Sequence, residues 1–228
     1  MSNPYNLIVS NCDTDSISVC KPDGAPFLDD EPWLTELNNI SPEFMVWEDD
    51  GYYKTMIIVR AKNYVMELPD GTIKYKGNSI KAPMKEEALR EFIKAIINEL
   101  LYETYQFETL YAKYVEEIMN ITDITRWCSK KTITPAVLNP KRSNEQKILD
   151  SIKDTEYTEG DKIHVFYLED ESLCLRENFT GEYNKKRLLE KLYNTGALFD
   201  TILETEQIFK NYTLKRNKKE LEELYGTL

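Results

Sequence analysis

The chain has 228 residues, enough for one large domain or two small ones, with 41% hydrophobic residues to pack a core. Its net charge of -11 excludes a protein that binds nucleic acid through a uniformly basic surface, so any such contact must come from local clusters. No apolar run reaches the roughly 18 residues of a membrane span, and no basic region precedes an apolar stretch at the start, so neither a membrane anchor nor a signal peptide is expected. Four cysteines (Cys12, Cys20, Cys128, Cys174) stand far apart without a Cys-x-x-Cys pair, which predicts free thiols in a reducing compartment rather than disulfides or zinc.

In chain order, Tyr5–Ser10 and Ile17–Cys20 are β-prone runs around Asn11-Cys12-Asp13-Thr14-Asp15-Ser16, a strand, a tight acidic turn and a return strand. Asp30–Leu37 predicts a short helix. Phe44–Trp47 and Tyr52–Val59 flank Glu48-Asp49-Asp50-Gly51, which predicts a second hairpin. The strand-like run from Ile58 to Glu67 leads to Asp70-Gly71, a strong turn signal, and then Ile73–Lys76. Pro83 closes this strand-rich part, residues 1–84.

Residues 85–228 read as mostly helical. Leu89, Phe92, Ile93, Ile96, Ile97, Leu100, Leu101, Phe107, Leu110, Tyr111, Tyr114, Val115 and Ile118 fall mostly at three- and four-residue steps, an amphipathic stripe of the kind that faces a core. Residues 135–144, with Pro135 and Pro140, predict a loop, and Ser143 a cap on a helix over Asn144–Ile152. Ile163–Leu168 is strand-like and contains His164, the single histidine, which reads as a strand residue rather than a catalytic base. Lys185–Leu192 and Leu198–Lys210 are helical. The fold class expected is α+β, an antiparallel part followed by a helical part.

The chemistry is concentrated at Asp13 and Asp15. Two carboxylates one residue apart at a hairpin tip repel each other, and a divalent metal with hard oxygen ligands is their natural counter-charge. A calcium loop opening at Asp13 is excluded, because Ile17, Ser18 and Gly24 occupy the positions where ligands and the turn glycine belong. A second concentration of charge lies between Arg126 and Lys147, where six basic residues (Arg126, Lys130, Lys131, Lys141, Arg142, Lys147) face one acid, Glu145.

Asp13-Thr14-Asp15-Ser16 resembles motif C of the family B DNA polymerases, usually Tyr-Gly-Asp-Thr-Asp-Ser, with Asn11-Cys12 in place of Tyr-Gly. Residues 61–77 resemble the Lys-Lys-x-Tyr strand and the Lys-x-Lys-Gly strand that follow in that family: Lys62, Tyr64, Lys74, Lys76 and Gly77 match in order, and Ala61 departs. Ser129-Lys130-Lys131-Thr132-Ile133 resembles the start of the polymerase thumb, Gly160-Asp161-Lys162-Ile163 a thumb strand, and Asn184–Leu203 the last helices of the core. The resemblance implies a partial palm, with motif C, in residues 1–84, then palm-to-thumb helices and a mainly helical thumb in residues 85–228.

The resemblance also implies roles. Asp13 and Asp15 would be catalytic ligands of two Mg²⁺ ions, with Asp15 the principal one. Lys62 and Tyr64 would contact the primer end, Lys74 and Lys76 the template–primer backbone, and Lys130 and Lys131 the duplex product. The family's exonuclease domain, motif A aspartate and fingers helix have no counterpart in the sequence. The chain therefore resembles the C-terminal part of a split polymerase of the kind found in some tailed bacteriophages, expected in the host-cell cytoplasm and inactive alone. A partner fragment would carry motif A and the fingers and contribute the contacts to the deoxynucleoside triphosphate. A non-catalytic palm–thumb module that holds duplex DNA or a replication protein is the alternative. Related polymerases end in a sliding-clamp peptide, but Leu221–Leu228 lacks paired aromatics and reads as a helix end.

Overall fold

The computed structural model describes residues 5–22, 32–81, 86–104 and 106–205, and it divides into two compact units, residues 1–77 and 78–228. The sequence boundary after residue 84 falls in a stretch outside the described residues. No helix among the described residues is long and apolar enough to cross a membrane.

In the first unit, β1 (Ile8–Asp13) and β2 (Ser16–Cys20) form an antiparallel hairpin about the predicted acidic turn, with β1 starting at Ile8 and running past Ser10 to Asp13. Helix α1 (Pro32–Ile40) follows, with Pro32 in the first turn, where a missing N–H costs nothing; its predicted start at Asp30 lies outside the described residues. The hairpin predicted around Glu48–Gly51 does not form, and residues 45–53 hold no strand. The Asn38 side chain takes the place of a strand partner there. It accepts from the Trp47 N–H at 2.7 Å and donates to the Trp47 carbonyl at 2.9 Å, while the Trp47 indole donates to Ser41 Oγ at 2.9 Å. The run from Ile58 to Glu67 is likewise not one strand. It breaks at Ala61-Lys62 into β3 (Thr55–Arg60) and β4 (Asn63–Glu67), which pair with β5 (Ile73–Lys76) in the antiparallel order β3-β4-β5.

The second unit opens with α2 (Asn78–Lys81), then α3 (Glu87–Leu101) and α4 (Phe107–Met119). The apolar stripe is continuous across these last two, but the helix is not. Glu99 accepts from the Thr104 hydroxyl at 2.5 Å and from the Gln106 N–H at 2.7 Å, which stabilises the corner between them. Phe92 is fully buried, with Tyr114 at 5.0 Å and Tyr111 at 6.1 Å between ring centroids. Truncating such a ring to alanine costs about 3–5 kcal/mol.

β6 (Ser129–Thr132) comes next. Residues 135–144, expected as loop, contain a one-turn helix, α5 (Pro135–Leu138), since Pro135 suits a first helical position. α6 (Ser143–Ser151) begins one residue earlier than predicted, so Ser143 is inside the helix rather than its cap. Glu145 turns back instead and accepts from the N–H groups of Lys141 and Arg142, each at 3.1 Å. β7 (Lys162–Tyr167) and β8 (Leu173–Leu175) complete an antiparallel sheet in the order β6-β7-β8. Ile133, Val137, Ile152, Ile163, Val165 and Leu175 form a core on this sheet. α7 (Lys185–Gly196) packs against α3 and α4, and α8 (Asp200–Thr205) ends the described part. Asn184 caps α7, accepting from the Arg187 N–H at 2.8 Å. The mixed α+β class expected from the sequence is the class observed.

Candidate active site at the acidic hairpin

The β1–β2 ladder closes at the Asp13–Ser16 pair, which leaves Thr14 and Asp15 as a two-residue turn. Thr14 has φ +58°, a left-handed backbone that a β-branched residue adopts only at a cost. Local bonds hold it there: Thr14 Oγ1 donates to Asp13 Oδ1 at 3.2 Å, and Ser16 Oγ donates to the Asp13 carbonyl at 3.0 Å. Asp13 is half-buried and Asp15 exposed.

Pairing divides the hairpin into two faces. Asp13, Asn11, Ser16 and Ser18 lie on one. Val9, Cys12, Ile17 and Val19 lie on the other, with Val9 58% and Ile17 40% exposed. An apolar face left this open is unusual for a two-stranded sheet, which is marginal in water by itself.

Within the same unit, the β3–β4 turn places Lys62 at the acidic tip. Lys62 Nζ stands 3.6 Å from Asp13 Oδ1 and donates to Thr14 Oγ1 at 3.5 Å. Three features fix this turn. Lys62 is left-handed, at φ +60°. The Asn63 side chain donates to the Ala61 carbonyl at 2.9 Å. Gly77, at φ +95°, lies so close that a Cβ there would collide with the Lys62 carbonyl oxygen and the Asn63 side chain. The Gly of the Lys-x-Lys-Gly pattern is thus required by the lysine turn of the neighbouring strand.

The other candidates take varied positions. Tyr64 lies opposite Lys76 in the β4–β5 ladder, and its side chain is buried. Lys74 and Lys76 are exposed two residues apart on one face of β5, and the Lys74 ammonium lies 5.9 Å from the centre of the Tyr53 ring. In the second unit Lys130 is exposed opposite His164, and Lys131 is half-buried opposite Ile163.

The basic run from Arg126 to Lys147 is only partly available to a ligand. Arg126 pairs with Glu91 and with Glu117, the latter at 2.7 Å. Lys147 donates to the Glu171 carbonyl at 2.6 Å.

Ser129 is also structural. Its hydroxyl donates to Glu86 at 2.6 Å, and Lys191 pairs with the same carboxylate. Burial would push the Glu86 carboxyl up, but the Lys191 charge and the hydrogen bonds from Lys191 and Ser129 outweigh it and hold the group below its ordinary value. Cys128 beside Ser129 is buried, and burial pushes its thiol up to about 12. Sequence reasoning missed this network and the stacking of Arg187 on Tyr167, where the guanidinium carbon lies 3.7 Å from the ring centre. Neither leaves a periodic signal.

No protein-family profile matches the chain, and no curated protein matches it. Among solved structures it is similar to the family B DNA polymerase from the hyperthermophilic archaeon Pyrobaculum calidifontis, with a TM-score of 0.52 over 75% of this chain at 13% identity. The fold is polymerase-like. The chain spans 24% of the length of that polymerase.

Within this polymerase-like fold, no cluster of three or more potential His, Cys, Asp or Glu metal ligands occurs among the described residues. The donors at the tip do fit a hard divalent ion in part. Mg²⁺ takes oxygen ligands and is often held by one or two carboxylates, the remainder coming from water and phosphate. Asp13 and Asp15 offer two such carboxylates, and the Lys62 ammonium stands beside Asp13.

Proposed function

We propose that this chain is the palm–thumb part of a DNA-directed DNA polymerase whose motif A aspartate and fingers are on a partner polypeptide, as in the split polymerases of some tailed bacteriophages. The observation that carries the reading is the meeting of Lys62 with Asp13 at a left-handed Thr14 turn, in a chain with a polymerase-like fold. It joins two separately recognisable sequence patterns in one unit.

In this reading Asp15 and Asp13 would hold two Mg²⁺ ions together with a carboxylate of the partner. When bound, such ions activate the primer 3′-hydroxyl and stabilise the leaving pyrophosphate. Asp15, exposed at the tip, is the better placed to share a ligand with another chain. Asp13, partly covered and tethered by Thr14, orients the turn. Lys62, Lys74 and Lys76 hold the primer–template by its phosphates, and Lys130 does so for the product duplex. Tyr64, being buried, supports the strand that carries Lys62. The apolar face on which Val9 and Ile17 stand exposed supports a partner that covers it.

The test is primer extension by this chain co-expressed with a fragment that carries motif A and fingers. Activity should require both chains and Mg²⁺, and Asp15→Ala should remove it by about 100-fold or more, since groups that merely support metal ligands already cost 10- to 100-fold. Full activity in Asp15→Ala would refute the assignment. Duplex DNA binding without metal-dependent extension would favour the non-catalytic module.

A further inference from the structure

We propose that Lys62 couples DNA binding to metal binding at the hairpin: its ammonium is shared between Asp13 and a phosphate of the primer–template, so Asp13 takes a divalent cation more readily when DNA takes the lysine. This rests on the metal role proposed for Asp13.

The anchor of Lys62 is rigid and its tip is not. The left-handed turn, the Asn63 side-chain bond and the close approach of Gly77 fix where the residue starts. The side chain beyond is 74% exposed and reaches Asp13 Oδ1 only at 3.6 Å, a loose contact that a phosphate can replace. Asp13 is the less accessible partner, at 22% exposure, and a cation that binds its Oδ1 shares that oxygen with the ammonium. A divalent ion and an ammonium at one carboxylate oxygen repel each other. Removing the ammonium to a phosphate therefore favours the metal, and by reciprocity the metal favours DNA. The effect is small, because exposed ion pairs of this kind change an equilibrium by about fivefold at most.

Two measurements on the full chain test this. The first is a double-mutant cycle on binding of a short primer–template duplex, read by fluorescence anisotropy in EDTA at low salt. Asp13→Asn should tighten binding about threefold when Lys62 is present, and should have less effect when Lys62 is methionine. Lys62→Arg should retain the coupling. An equal effect of Asp13→Asn in both backgrounds would mean general charge repulsion and would overturn the proposal. The second is Mn²⁺ titration without DNA on the chain paired with the motif A fragment, read by the free-ion paramagnetic resonance signal. Lys62→Met should bind Mn²⁺ about threefold more tightly than the parent, and Asp13→Asn more weakly. Equal Mn²⁺ affinity in the parent and Lys62→Met overturns the coupling alone. No Mn²⁺ binding in either overturns the coupling and the metal reading of Asp13 together.

Discussion

Lys191→Met should destabilise the second unit far more than a partly exposed lysine ordinarily would. Glu86 is 4% exposed at its side chain and its charge is compensated by Lys191 and the Ser129 hydroxyl, bonded at 2.6 Å. Removing the lysine leaves a buried carboxylate with the serine, and breaking a buried pair in this way costs about 3–5 kcal/mol. Lys191 itself is 29% exposed, so water reaches part of the site and the lower end, about 3 kcal/mol, is expected. With a urea m-value of about 2–3 kcal/mol/M, the midpoint at pH 7 should fall by about 1 M or slightly more.

The pH dependence gives the sign. In the parent, Glu86 sits below its ordinary value of 4.5, so its contribution is present above that pH and is lost as pH falls through the depressed folded value. In Lys191→Met, burial without compensation pushes the carboxyl above 4.5, so the penalty should be greatest at neutral pH and shrink as pH falls through that raised value toward 4.5, where the group protonates. Glu86→Gln combined with Lys191→Met should recover most of the loss. A midpoint for Lys191→Met within 0.3 M of the parent at pH 7, or a penalty that grows on acidification, would refute the reasoning.

Gly77→Ala should cost about 2 kcal/mol, because a positive φ and a collision with the Lys62 carbonyl act together; equilibrium unfolding and the Lys62 side-chain resonances would show it, and an unchanged Lys62 environment would count against the turn as described. Ile17→Lys should leave the stability of the isolated chain within about 0.5 kcal/mol, since Ile17 is 40% exposed, yet weaken capture of the motif A fragment about tenfold or more. Equal affinity for the partner would show that this face is not covered by it. At pH 8, alkylation followed by mass spectrometry should find the exposed Cys12 and Cys20 modified first, and Cys128, with its thiol raised to about 12 by burial, only on unfolding. Labelling of Cys128 at the rate of Cys12 would contradict its burial.

Sequence alone determined the elements whose cause is local. A two-residue acidic turn between β-prone runs closes as the β1–β2 hairpin because its hydrogen bonds are made within about ten residues. Helix α3 follows from a period of 3.6, and β7 from its apolar run. Tertiary structure decided what depends on distant residues. The run from Ile58 to Glu67 reads as one strand, but Gly77 and the Asn63 side chain turn it at Lys62, and that turn brings Lys62 across 48 residues to the Thr14 hydroxyl and the Asp13 carboxylate. Phe44–Trp47 has the composition of a strand, yet Asn38 in α1 satisfies the backbone of Trp47 instead. Glu86 and Lys191, 105 residues apart, hold Ser129 in a buried network. Backbone propensity is read along a few residues, whereas a buried charge or a left-handed turn is stable only when the folded chain brings its partner to it.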